Sequence, residues 1–231
     1  MNNNIRRLKR HVSRTYDALG LSENVMRRRT IAKFAQKFGL IYFRTIDASS
    51  PHVSLVRGVT NEIGQKDSNM CIGAHDGYDM VFIERDVILR SPDQSPARHR
   101  WHIMEFDLHS HNNLPFLFVG TRQQSKAFYS KLFTLHRDVR HMDATFLQAP
   151  KQFYPHYSVV VSPAAHLFVA RVLTQEITDA MTRYQYPFAI EIHGDSLFVI
   201  SEATPATTVQ SLTRMMHYGI WLARHIDSKQ L

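Results

Sequence analysis

A chain of 231 residues with 44% hydrophobic and 11% aromatic side chains carries enough apolar material for one substantial core, which excludes a disordered chain. Its single cysteine, Cys71, excludes an internal disulfide, suits a reducing cytoplasm and reads as a small buried apolar residue. The formal charge of +8 sits at one end: residues 1–37 hold ten Lys and Arg against Asp17 and Glu23, and the charges cancel over the remainder.

Helical periodicity opens the chain. Ile5, Leu8, Val12, Tyr16 and Leu19 form one narrow apolar stripe, with Arg6, Arg7, Arg10 and Arg14 on the far side and Lys9 beside it. Gly20 stops this helix, and Ser22 is placed to cap a second, SENVMRRRTIAKFAQKF, which Gly39 ends. Ile31, Phe34, Ala35 and Phe38 form its apolar face. Residues 1–38 thus read as a basic helical segment and 39–231 as a single α+β domain.

Beyond Gly39 the period changes to two. GLIYFRTI and PHVSLVRGV are short predicted strands, and CIGAHDGYDMVFIERDVIL is a hairpin around Asp76-Gly77, a dipeptide that accepts positive φ. RSPDQSPA reads as a loop. HRWHIMEFDLH alternates, with His102, Met104, Phe106 and Leu108 on one side and Trp101, Ile103, Glu105, Asp107 and His109 on the other. Asn112, Asn113 and Pro115 turn the chain into PFLFVG, its expected antiparallel partner.

A helix over QQSKAFYSKLFTLH follows, then the strand HYSVVVS, a helix begun by Pro163 and another capped by Thr174. FAIEIH and SLFVISE flank Gly194-Asp195 as a second hairpin, and a long amphipathic helix from about Ala206 to Asp227 closes the series. Hairpins with helices grouped around them predict an α+β fold on an antiparallel sheet of seven or eight strands. No run approaches the ~20 clean apolar residues of a membrane span, and no apolar run follows the basic start as in a secretory leader.

Two patterns bear on function. Arg6, Arg7, Lys9, Arg10, Arg14, Arg27, Arg28 and Arg29 form a candidate surface for an anionic partner. Simple solvation is the bland reading, an anionic membrane surface the favoured functional one, and nucleic acid the runner-up. Three arginines in the first half of a helix oppose its dipole, which argues for a role. The second pattern is FDLHSH, the opening phrase of many metal-dependent hydrolases, with Asp107, His109 and His111 as metal ligands. A (β/α)₈ barrel of about 250 residues does not fit the hairpin pattern, and no phosphate loop, dinucleotide fingerprint or nucleophile elbow accompanies it. The carboxylate pairs Glu105/Asp107 and Glu84/Asp86 read as solvated strand residues.

The phrases NMCIGAHDGYDMVFIERD, HRWHIMEFDLHSHNNLPFLFVG, FAIEIHGDSLFVIS and GIWLARHID together resemble a family of uncharacterised bacterial proteins with no assigned activity. The resemblance spans about residues 38–228 and implies the antiparallel α+β fold and a bacterial cytoplasmic setting, without transferring any site residue. The expectation is a non-enzymatic binding or scaffold module, free of cofactors, cytoplasmic and peripheral at a membrane. Its partner protein is unidentified.

Overall fold

Asp76 and Gly77 adopt left-handed backbone, φ 53° and 88°, and close the hairpin that their dipeptide predicts. The structure is a computed structural model that describes residues 21–46, 66–91, 94–109, 113–121, 126–142, 147, 149–184, 187–204 and 206–229. Its first elements are α1 (Leu21–Phe38), β1 (Ile41–Thr45), β2 (Lys66–His75), β3 (Tyr78–Ser91) and β4 (Gln94–Asp107). Then come β5 (Leu114–Thr121), α2 (Lys126–Leu135), β6 (Arg140–His141), β7 (Tyr157–Val161) and a 3₁₀ turn (Pro163–Ala165). The chain continues through α3 (His166–Val172), α4 (Gln175–Tyr184), β8 (Ala189–Gly194), β9 (Ser196–Glu202) and α5 (Val209–Asp227). The described strands form one nine-stranded sheet in the order β1-β2-β3-β4-β9-β8-β5-β7-β6. Every pairing is antiparallel, and the fold is α+β as expected.

Two helix ends stand where the sequence places them, and α5 adds a cap of its own at Thr208. Gly39, φ 70°, terminates α1. The Thr174 hydroxyl accepts from the Ile177 N–H at 3.4 Å, and Thr208 with Ser211 forms a capping box at the start of α5. Ser22, expected as a cap, is already helical. The predicted helix over Ile5–Leu19 and the predicted strand over residues 51–59 lie outside the described residues.

Two expectations about strand pairing are corrected. RSPDQSPA is not a loop, because Ser91 pairs with Gln94 and only positions 92 and 93 separate the strands. Pro96 is tolerated there because β4 pairs with β9 only over Trp101–Asp107, which leaves its first residues with a single strand neighbour. The second correction is that PFLFVG does not pair with β4. Strand β4 lies between β3 and β9, whereas β5 lies between β8 and β7. The hairpin β8–β9 is therefore inserted between strands that are neighbours in sequence. The most apolar strands claim the middle of the sheet: Leu197, Phe198 and Val199 of β9, like Phe116 to Val119 of β5, are buried on both faces.

Helices on both sides account for that burial. Ile31 and Phe34 of α1 and Leu212 and Met216 of α5 cover Phe82, Met104, Phe106 and Val199, with α3 and α4 on the same face. Phe128 and Leu132 of α2 cover Ile83, Trp101, Ile103, Phe118 and Val160 on the other. The alternation along β4 holds, but its supposed polar side is a second core.

Candidate functional site

Glu84 organises the end of the sheet nearest α1. Its side chain is 2% exposed and lies 2.7 Å from Arg27 Nε, 3.5 Å from Arg100 Nε and 3.6 Å from His102 Nε2. Burial alone would raise this carboxyl, but the nearby His102 imidazole and the charges of Arg27 and Arg100 outweigh it and hold Glu84 below its ordinary value. Asn69 joins the cluster through a β-bulge. Two residues of β2 intervene where β3 has one, Asn69 takes φ 52°, and its Nδ2 donates to Glu84 at 3.2 Å. Asn69 Oδ1 in turn accepts from the Tyr42 hydroxyl at 2.7 Å.

This cluster fixes the orientation of α1. With Arg27, Ile31 and Phe34 turned inward, Val25, Arg28, Arg29 and Ala32 share another face at spacings of three and four. Together with Tyr42 and Arg44 of β1 they line a cleft of about 280 Å³ at the edge of the sheet. Arg28, Arg29 and Arg44 form no ion pair with a carboxylate among the described residues. Burial raises the Tyr42 phenol most, Cys71 adds to the rise, and the charges of Arg28 and Arg44 oppose it. Around this edge Val25, Met26, Ile41 and Phe43 stand exposed, Met26 at 60% and Ile41 at 64%. Ile41 and Phe43 point to the opposite face of β1 from Tyr42 and Arg44, so Val25 and Met26 of α1 are the exposed apolar side chains beside the arginines, and that combination suits an anionic ligand with an apolar body.

The predicted basic residues divide three ways. Arg6, Arg7, Lys9, Arg10 and Arg14 lie outside the described residues. Arg27 faces inward on Glu84. Arg28 and Arg29 line the cleft. Arg44 and Tyr42 were missed, although the alternation of IYFRT places them together on one side of β1.

Of the FDLHSH residues, Asp107 ends β4 opposite Ser196, and His109 lies in a bend beyond the strand. The His109 ring stacks on Tyr78 at 4.6 Å, its Nε2 lies 3.0 Å from the Gly77 carbonyl, and its backbone N–H donates to Asp227 Oδ1 at 3.1 Å. A carbonyl oxygen only accepts, so Nε2 carries the proton and is no metal donor in this arrangement. Tyr78 also donates to Asp227 Oδ2 at 2.8 Å, so these contacts clasp the first hairpin, the end of β4 and the C-terminal end of α5. His111 lies outside the described residues. Among the described residues no group of three His, Cys, Asp or Glu side chains is placed to hold a metal.

The reading of the carboxylate pairs as solvated is corrected in part: Glu84 is fully buried and Glu105 and Asp86 partly so, whereas Asp107 is exposed as expected. Glu105 Oε1 accepts from the Ser196 hydroxyl at 2.8 Å, and Oε2 is buried without a hydrogen-bond partner. Burial raises the Glu105 carboxyl to about 7. The nearby Asp107 charge adds to the rise, and the Ser196 hydrogen bond and Arg85 oppose it. The folded protein therefore binds a proton here more tightly than the unfolded chain, and stability falls as pH rises from the ordinary 4.5 toward 7. At ~1.4 kcal/mol per tenfold change in proton affinity the loss is on the order of 3 kcal/mol. Glu105→Gln is expected to remove that loss, which urea denaturation between pH 5 and pH 8 measures; an unchanged slope would refute the assignment. Cys71 is fully buried and its thiol is pushed up to about 12, so it behaves as an apolar residue.

No family model matches the chain, and no curated protein matches it. Among the described residues no helix is long and apolar enough to cross a membrane.

Proposed function

We propose that the protein is a non-enzymatic docking module that rests on an anionic membrane surface, on the cytoplasmic side, through the α1–β1 edge. One observation carries this reading: Arg28, Arg29 and Arg44 form no ion pair with a carboxylate among the described residues, exposed Val25 and Met26 of α1 stand beside them, and Ile41 and Phe43 are exposed on the other face of the same edge strand. Basic residues bring the edge to the lipid, each contributing ~1 kcal/mol near the surface, and the apolar side chains enter the interface. Arg6, Arg7, Lys9, Arg10 and Arg14 add to the same attraction by their sequence.

A second reading has its own support. Tyr42 borders the cleft beside the arginines and Phe43 is exposed on the other face of the same strand, so aromatic rings stand at this edge as in modules that stack single-stranded nucleic acid. Aliphatic Met26 and Ile41 have no part in stacking, which favours the membrane.

Co-sedimentation of the full chain with phosphatidylcholine vesicles, with and without phosphatidylserine, tests both. Binding is expected only to the anionic vesicles and to weaken with salt. Combining Arg28→Ala, Arg29→Ala and Arg44→Ala is expected to lower partitioning about 100-fold, from ~1 kcal/mol per cation. Met26→Ser with Ile41→Ser should weaken it further. Failure to pellet with anionic vesicles, alongside oligonucleotide binding that the serine substitutions leave unchanged, would replace the membrane with nucleic acid.

A further inference from the structure

We infer that the cleft between α1 and β1 is a site for the phosphomonoester headgroup of a lipid, gripped by the guanidiniums of Arg28, Arg29 and Arg44. The inference rests on the membrane reading and names the chemistry that the edge selects. Three planar guanidiniums offer paired N–H donors to phosphate oxygens, and a phosphomonoester presents up to two charges and three terminal oxygens to them. A phosphodiester or carboxylate headgroup brings one charge and leaves arginine unmatched. Val25 and Ala32 wall the cleft with apolar surface, which lowers the local dielectric and strengthens each contact. The Tyr42 hydroxyl is engaged by Asn69.

The grip is preorganised. Arg28 and Arg29 come from α1 and Arg44 from β1, and the Arg27–Glu84 pair holds the helix to the sheet. Exposed Val25 lines the cleft and exposed Met26 adjoins it on α1, so a headgroup in the cleft leaves its acyl chains beside apolar side chains. That continuity favours a lipid over a soluble phosphate.

The test uses the full chain and phosphatidylcholine vesicles carrying phosphatidic acid or phosphatidylserine, matched for zeta potential. Binding is expected about tenfold tighter to phosphatidic acid, the worth of one charge-assisted contact. Arg44→Ala should abolish that preference, whereas Lys33→Ala, on an exposed position of α1 outside the cleft, should keep it. Equal binding to both matched vesicles would overturn the phosphomonoester site while leaving membrane docking intact. No binding to either would overturn both. A rise in Tm with inorganic phosphate at constant ionic strength, absent in Arg44→Ala and without any lipid preference, would assign the cleft to a soluble phosphate and overturn the lipid source.

Discussion

Glu84→Ala is expected to destabilise the protein by about 3–5 kcal/mol, the usual cost of removing one partner from a buried ion pair. The carboxylate is 2% exposed and serves Arg27, Arg100, His102 and Asn69 at once. Its loss removes the carboxylate that Arg27, Arg100 and His102 share inside the protein. An exposed pair such as Arg224 with Asp76 contributes far less, about 1 kcal/mol at most, so Asp76→Leu is the wrong control for charge but Arg224→Ala a suitable one. Urea denaturation at neutral pH measures the difference, and a cost below about 1 kcal/mol would show that the cluster is solvated. The pH dependence gives a second check. Glu84 has a folded pKa below its unfolded one, so its stabilisation is complete above the ordinary carboxylate value and is lost as pH falls through the folded pKa. The wild type should lose stability in acid more steeply than the variant. Because the same cluster orients α1, Glu84→Ala should also weaken vesicle binding without touching a cleft residue.

Glu84 and Glu105 move in opposite directions for reasons visible in their neighbours. Glu84 gathers two arginines and a histidine, whose combined attraction exceeds the cost of its burial. Glu105 has a serine hydroxyl and a neighbouring Asp107, while Arg85 is committed to Asp67 through two bonds of 2.6 and 2.7 Å. One carboxyl costs stability in acid and the other toward neutrality, so their joint contribution is greatest on the acid side of pH 7.

Local chemistry was legible in the sequence wherever it acts locally. Asp76-Gly77 and Gly194-Asp195 signalled hairpins, Gly39 and Thr174 signalled helix ends, and all four stand where expected. What could not be read was decided by distant segments. Nothing near Asn113 shows that β8 and β9 will come between β4 and β5. Period-two alternation orders the side chains of a strand but does not say whether the second face meets water or another helix. For that reason Glu84 reads as solvated, although it and the adjacent Arg85 are each buried and paired on their own side of the sheet. The arginine run was visible, but not its division: the register of α1 against Glu84 turns Arg27 inward and leaves Arg28 and Arg29 to the cleft. Arg44 was hidden by lying in a separate element.

Gly219→Ala is expected to be among the most damaging small substitutions in the chain. A Cβ at Gly219 would lie 2.1 Å and 2.4 Å from two ring carbons of Phe106, far inside van der Waals contact. Alanine normally favours a helix interior over glycine by about 1 kcal/mol, so propensity alone predicts a gain. Packing reverses the sign. Phe106 is fully buried on β4 beneath α5, and its ring has no solvent to move toward. Either the ring leaves its rotamer or α5 lifts from the sheet, and overpacking of this kind costs about 1–3 kcal/mol, occasionally more. The net expectation is a loss of about 2 kcal/mol or more at the centre of the larger core. The companion variant Phe106→Leu opens a cavity on its own and is destabilising, yet in the Gly219→Ala background it should restore part of the loss. That non-additivity is the signature of a direct clash. Additive losses in the double-mutant cycle, or a Gly219→Ala protein as stable as wild type, would mean that α5 does not lie against β4 at this distance.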